Sequence, residues 1–210
     1  MTANTNTSDV SAYTVRLIIG LIAISLPFLT NWLAGGDLSS ISASYCYPDS
    51  DWPRNIFVGF LVAISALLLS YNGNSVYEFI ISKIGAVATF LIANFPTCDT
   101  TKSVELVHGI ASFVMFTVLA LFCFQFYKAA KKRSTPESKL RATIYLICGI
   151  IIILSMLGVV LKSHIGIPRL TFYAETAGLI AFGFSWLIAS RILPVVTAPD
   201  ERVRIQYSTS

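Results

Sequence analysis

The chain has 210 residues, of which 55% are hydrophobic and only 12% charged, with a net charge of +4 and a mean hydropathy of +0.71. A soluble domain carries about a quarter charged residues, so the polar coat a water-exposed surface needs is missing and a soluble globular domain is excluded. The basic residues gather in one loop rather than striping a surface, which excludes a nucleic-acid partner and leaves membrane lipids as the expected surroundings.

In chain order, the first twelve residues are polar, lack the basic start of a cleaved leader, and read as a disordered cytoplasmic N-terminus (1–12). A transmembrane domain follows over 13–194. It holds six apolar segments, at 13–34, 55–71, 76–95, 105–127, 142–161 and 170–193, each near the roughly 20 residues a helix needs to cross a hydrocarbon core. Residues 195–210 read as a disordered cytoplasmic tail. Helices are required because lipid offers no partner to an open backbone group. Runs such as Ile150-Ile151-Ile152-Ile153-Leu154 lack the alternation of a membrane β-barrel. The predicted fold class is therefore all-α: a polytopic integral membrane bundle of six transmembrane helices.

Turn residues punctuate the spans. Gly35-Gly36 closes the first, Asn72-Gly73-Asn74 joins the second to the third, Pro96 ends the third and Pro168 precedes the sixth. Pro27, inside the first span, is expected to kink it. Tyr13, Trp32, Trp52, Tyr71 and Tyr127 fall at span ends, where amphipathic rings favour the interface.

The loop after the fourth span contains Lys128, Lys131, Lys132, Arg133, Lys139 and Arg141 against the single acid Glu137. Basic loops stay cytoplasmic, so both termini are expected inside, in a bacterial inner (plasma) membrane. Arg16, Lys83, Arg191, Arg202 and Arg204 join that side; Arg54, Lys102, Lys162 and Arg169 fall on the other.

Cys123 and Cys148 lie within spans, where a thiol acts as a small apolar group. Cys46 and Cys98 lie in two loops of the outer side, where a Cys46–Cys98 disulfide is open if that compartment is oxidising.

Ionisable groups inside a bilayer are costly and mark paired or functional positions. Glu175 sits five residues into the sixth span, about 7 Å below its outer rim. His108 opens the fourth span at a similar depth, with Ser112 one turn on along the same face. The first outer loop, long enough to suggest a role, adds Ser44, Tyr45, Tyr47, Arg54 and Asn55, with Asp99, Glu105 and His164 nearby. The ligand-binding candidates are Tyr45, Tyr47, Arg54, Asn55, His108, Ser112 and Glu175. His108, Glu175 and Ser44 are the candidates for acid–base or nucleophilic chemistry. His108 and Glu175 are also the candidates for holding a divalent metal. The alternative for the same residues is a polar knot that ties helices together, with Glu175 protonated or bridged to Arg54 or His108. A small-residue stripe of Ala174, Gly178 and Ala181 suits close helix packing, and Phe182 and Trp186 extend the Glu175 face with aromatic rings.

Ser42-Ala43-Ser44-Tyr45-Cys46-Tyr47, Arg54-Asn55-Ile56-Phe57-Val58-Gly59, Phe95-Pro96, His108-Gly109 and the stretch from Phe172 to Trp186 together resemble a bacterial inner-membrane family of unassigned function. Its pattern runs S-x-Y-Y-[YH], R-D-V-F-V-G, A-x-F-P, H-G and F-x-x-E, in that order. Asn55 stands where that family has Asp, and extra residues separate Tyr47 from Arg54. A fainter likeness links the chain to the alkaline ceramidase and progestin-receptor-like membrane hydrolases, whose zinc site uses His, Asp and Ser. The chain lacks their H-x-x-x-H pair and is one helix short, so zinc does not carry over.

The resulting expectation is a multi-pass membrane protein with a polar pocket at the outer leaflet for a small molecule, lipid headgroup or ion. A lipid hydrolase or transferase using His108 and Glu175 is the alternative. A transporter is disfavoured, because Ser65, Ser70, Thr117, Gln125 and Ser155 are scattered and trace no path.

Overall fold

The computed structural model describes residues 11–97 and 101–201. The N-terminal stretch 1–10, the loop residues Cys98 and Asp99, and the tail 202–210 with Arg202 and Arg204 lie outside the described residues. Among the described residues, six helices are long and apolar enough to cross a membrane: α1 (Ala12–Leu33), α2 (Trp52–Ser70), α3 (Val76–Asn94), α4 (Lys102–Lys131), α5 (Pro136–Val160) and α7 (Leu170–Ala189). A single turn, α6 (Lys162–Ile165), precedes α7. The chain is thus an all-α, multi-pass membrane protein. Its outward faces agree: Ile153 and Leu154 are 51% and 59% exposed, a surface that only lipid would solvate.

Helix ends follow local chemistry. The second span begins at Trp52, earlier than its hydropathy suggests, because Pro53 fits the first turn, where its missing N–H costs nothing. The basic loop is largely helical. Lys128 and Lys131 sit in the last turn of α4, where cations suit the helix dipole. On the other side, the Thr135 side chain accepts a hydrogen bond from the Ser138 N–H and starts α5 at Pro136. α1 stays helical across Pro27.

The helices form a closed ring in the order α1–α2–α3–α4–α5–α7 and back to α1. The axis is filled by aromatic rings, with Trp186 packed 5.0 Å from Phe122, 5.2 Å from Phe182 and 5.4 Å from Tyr71 between centroids. α1 and α7 cross backbone to backbone. A Cβ on Gly20 would lie 2.8 Å from the Gly183 carbonyl oxygen, and one on Gly183 would lie 2.7 Å from the Gly20 oxygen. The stripe expected from Ala174 and Gly178 instead faces α5 and α4: Gly158 sits over Ala174, while Phe116 and Ser155 fill the space beside Gly178.

Both ends of the described chain, the turn at 71–75 and the turn at 132–135 lie at one end of the bundle, the terminal end. There Arg16 and Glu78, which are 3% and 4% exposed, approach to 3.4 Å. The Tyr71 hydroxyl accepts from Arg16 at 2.6 and 2.9 Å and donates to Glu78 at 2.9 Å. Arg16 also donates to the Ala189 carbonyl at 3.2 Å, so the knot ties α1, α3, α7 and the α2–α3 turn. Gly73, at φ +66, makes that turn possible; a Cβ there would fall 2.5 Å from the Glu78 Cβ.

The expected disordered tail is corrected over its described part. Val196, Thr197 and Ala198 are buried, the Val196 carbonyl accepts from Arg141 at 2.7 Å, and Glu201 pairs with Arg133, with Arg141 at 2.7 Å and with Arg191 at 3.3 Å. Burial alone would raise the Glu201 pKa, but Arg141, Arg191 and Arg133 hold it below the usual carboxylate range. Three buried or half-buried cations need a counter-charge, and the tail supplies it.

Candidate functional site

The opposite end of the bundle carries the longer loops, and the first of them folds down onto the start of α7. Arg169 adopts a left-handed backbone (φ 58) just before α7. Its guanidinium donates to the Leu38 carbonyl and to Asn31 Oδ1, both at 2.9 Å, which compensates an unfavourable backbone state. The Phe172 N–H then donates to the Ser39 carbonyl at 3.2 Å, satisfying one orphan donor of the helix start. Within the same loop the Ile41 N–H donates to Glu175 Oε2 at 2.6 Å. The partner of the intramembrane acid is therefore a backbone amide, neither Arg54 nor the imidazole.

His108 lies in the second turn of α4 and is 5% exposed. Its Nδ1 is 2.6 Å from the Phe95 carbonyl oxygen. A carbonyl can only accept, so Nδ1 carries the proton, and in the neutral ring Nε2 holds the free lone pair.

His108 and Glu175 meet at a cavity of about 510 Å³ between α4, the end of α5 and the start of α7. Ser42, Ser112, Ser155 and Lys162 line it as well, and Glu105 stands at its exposed rim. Beneath it a space of about 50 Å³, also bounded by His108, Ser112 and Glu175, ends on Met115, Phe116 and Phe182. Polar groups thus occupy the mouth and apolar ones the floor. Among the described residues no three His, Cys, Asp or Glu side chains group as a metal-ligand set.

Of the seven ligand-binding candidates, the fold brings His108, Ser112 and Glu175 together. The other four do not line the cavity. Tyr45 packs edge-on against Phe57, 6.3 Å between centroids, and the Tyr47 hydroxyl lies over Gly35. Arg54 and Asn55 are exposed in the first turn of α2, with Arg54 paired to Asp51 at 2.9 Å; the early start of α2 carries both away. Ser44 is fully buried, donates its hydroxyl to the Ile41 carbonyl at 2.6 Å and does not line the cavity, so it shapes the turn that presents the Ile41 amide. His164 is exposed and does not line it. Cys46 is disulfide-bonded; its expected partner, Cys98, falls outside the described residues. Cys123 and Cys148 are buried free thiols.

Sequence reasoning missed Lys162 and Ser155. Ser155 gave a usable signal: it interrupts the apolar run of the fifth span, two residues after the last of four consecutive isoleucines. Lys162 gave none beyond its charge, because it lies past the end of the fifth apolar segment, in the single turn of α6.

The fold and this cavity define a class: a six-helix membrane protein with a polar cavity at one end. Comparison with protein-family models, curated proteins and solved structures finds no match to the chain.

Proposed function

We propose that the long-loop end faces the outside of a bacterial inner membrane and that its cavity binds the polar headgroup of a membrane lipid. One observation carries the reading. A buried imidazole, an intramembrane carboxyl and several hydroxyls line a single space of about 510 Å³, within the range of small-ligand sites. Each of the two ionisable groups has one atom committed to the backbone, which fixes its orientation before any ligand arrives. A space that ends on Phe182 with Trp186 beneath it supports binding from one side over passage through the bundle. A divalent ion held here would rest on His108 and Glu175, with hydroxyls, water or the ligand completing its shell.

A second reading has its own support. The Nδ1 bond to Phe95 fixes the tautomer in which Nε2 can take a proton, the arrangement a general base needs. Lipid hydrolysis or group transfer is therefore the enzymatic form of the same proposal.

Native mass spectrometry of the detergent-purified protein tests both. The wild type should retain a lipid that is lost, by about tenfold in occupancy, from His108→Ala and Glu175→Gln at unchanged thermal stability. Gln still accepts from the Ile41 amide, so the loop should keep its place. Equal retention in all three proteins, or no retained lipid in any, would sink the headgroup reading.

A further inference from the structure

The polar cavity is open toward the lipid. An apolar groove of about 520 Å³ runs down the outside of the bundle between α4 and α5. It shares Phe113, Met156 and Val160 with the polar cavity, so the two form one continuous depression. Its walls extend from Phe113 to Tyr127 on α4 and from Val160 back to Tyr145 on α5. At about 1.5 Å per residue each wall is roughly 20 Å long, which exceeds the roughly 15 Å of hydrocarbon in one leaflet.

The groove has little to offer a polar ligand. The Thr117 hydroxyl donates to the Phe113 carbonyl at 2.9 Å, and the Tyr127 hydroxyl accepts from Lys131 at 3.1 Å. Gly149 forms part of the wall where α5 meets α4, and a Cβ there would lie 3.4 Å from the Cys123 Cβ. A second depression, between α3 and α4 around Val87 and Ile110, shares no residue with the polar cavity. The mouth above the α4–α5 groove holds charges of both signs, Lys162 against Glu105, with the Glu175 carboxyl beside them.

We infer that the ligand is a whole phospholipid with a zwitterionic ammonium–phosphate headgroup, its head in the polar cavity and one hydrocarbon chain in the α4–α5 groove. It enters sideways from the bilayer. The phosphate faces Lys162, and the ammonium faces the carboxyls of Glu105 and Glu175. This rests on the headgroup reading above and deepens it by naming the ligand class and its route.

The test uses the full chain in detergent and two probes: palmitoyl-lysophosphatidylethanolamine with a photoreactive chain, and water-soluble glycerophosphoethanolamine, which is the head alone. The wild type should bind the lysolipid at least about tenfold more tightly than the head, and chain crosslinks should map to α4 and α5. Ile153→Trp, which fills the groove from a half-exposed wall position, should reduce lysolipid affinity to that of the head and leave head binding unchanged. Leu146→Trp, at a second half-exposed wall position farther from the polar cavity, should do the same and serves if Ile153→Trp does not fold. His108→Ala should weaken both probes. Crosslinks spread equally over the α3–α4 face, with both groove variants unaffected, would mean ordinary surrounding lipid and would overturn the chain assignment while the headgroup reading stands. Failure of either probe to bind the wild type would overturn both. An equal or higher affinity for palmitoyl-lysophosphatidylglycerol would overturn the zwitterionic assignment.

Discussion

Arg16 and Glu78 sit about one turn inside the same end of two different helices and compensate each other through Tyr71. Removing one member leaves the other as an uncompensated buried charge, which costs about 3–5 kcal/mol in comparable pairs, whereas replacing both by apolar groups is often neutral. Glu78→Leu and Arg16→Met alone should each lower the thermal midpoint in detergent strongly, and the double variant should recover most of the loss. Additive losses in a double-mutant cycle would contradict the pairing. The sequence displayed both residues, but Arg16 reads naturally as one more cytoplasmic cation and Glu78 as part of an interfacial helix start. A basic residue in one span and an acid at matching depth in another was the available signal. Glu175 was legible as a group needing compensation. Its partner was not, because the Ile41 amide carries no side-chain mark and is placed by a loop turn that only the fold specifies.

Among the elements, α1 and α7 are the pair whose backbones meet. An alanine at Gly183 would put its Cβ 2.7 Å from the Gly20 carbonyl oxygen, and a helix backbone cannot yield to relieve the clash as a side-chain tip could. Overpacking of this kind costs about 1–3 kcal/mol, so Gly183→Ala should lower thermal stability in detergent. Gly158→Ala should not, since its Cβ would meet Ala174 at an ordinary 3.6 Å; equal effects of the two would refute the close crossing. The existence and order of the six helices were readable, because hydropathy and length reflect the bilayer itself. Their ends were less so. α4 and α5 run on into the basic loop through capping and dipole effects, and α2 starts early at a proline, none of which depends on apolarity. The same early start removed Arg54 and Asn55 from the site that loop proximity had suggested.

At the scale of the whole molecule the two ends differ in kind. The terminal end is tied by ion pairs around two buried acids: Arg16 with Glu78, and Glu201 with Arg133, Arg141 and Arg191. These pairs explain why the described tail packs where composition suggested disorder. They leave Lys128, Lys131, Lys132 and Lys139 exposed around the α4–α5 turn. The long-loop end has a disulfide-bonded cysteine and the polar cavity. Exposed cations resist translocation and a disulfide persists in an oxidising compartment, so both features support the proposed placement of the long-loop end on the outer side. Ser134→Cys, in the exposed α4–α5 turn, and Asp37→Cys, in the first long loop, test the assignment against a quiet background, because Cys123 and Cys148 are buried. In intact cells an impermeant maleimide should label Asp37→Cys and spare Ser134→Cys until the membrane is opened. The reverse pattern would place the cavity on the cytoplasmic side, and any lipid it binds would then come from the inner leaflet.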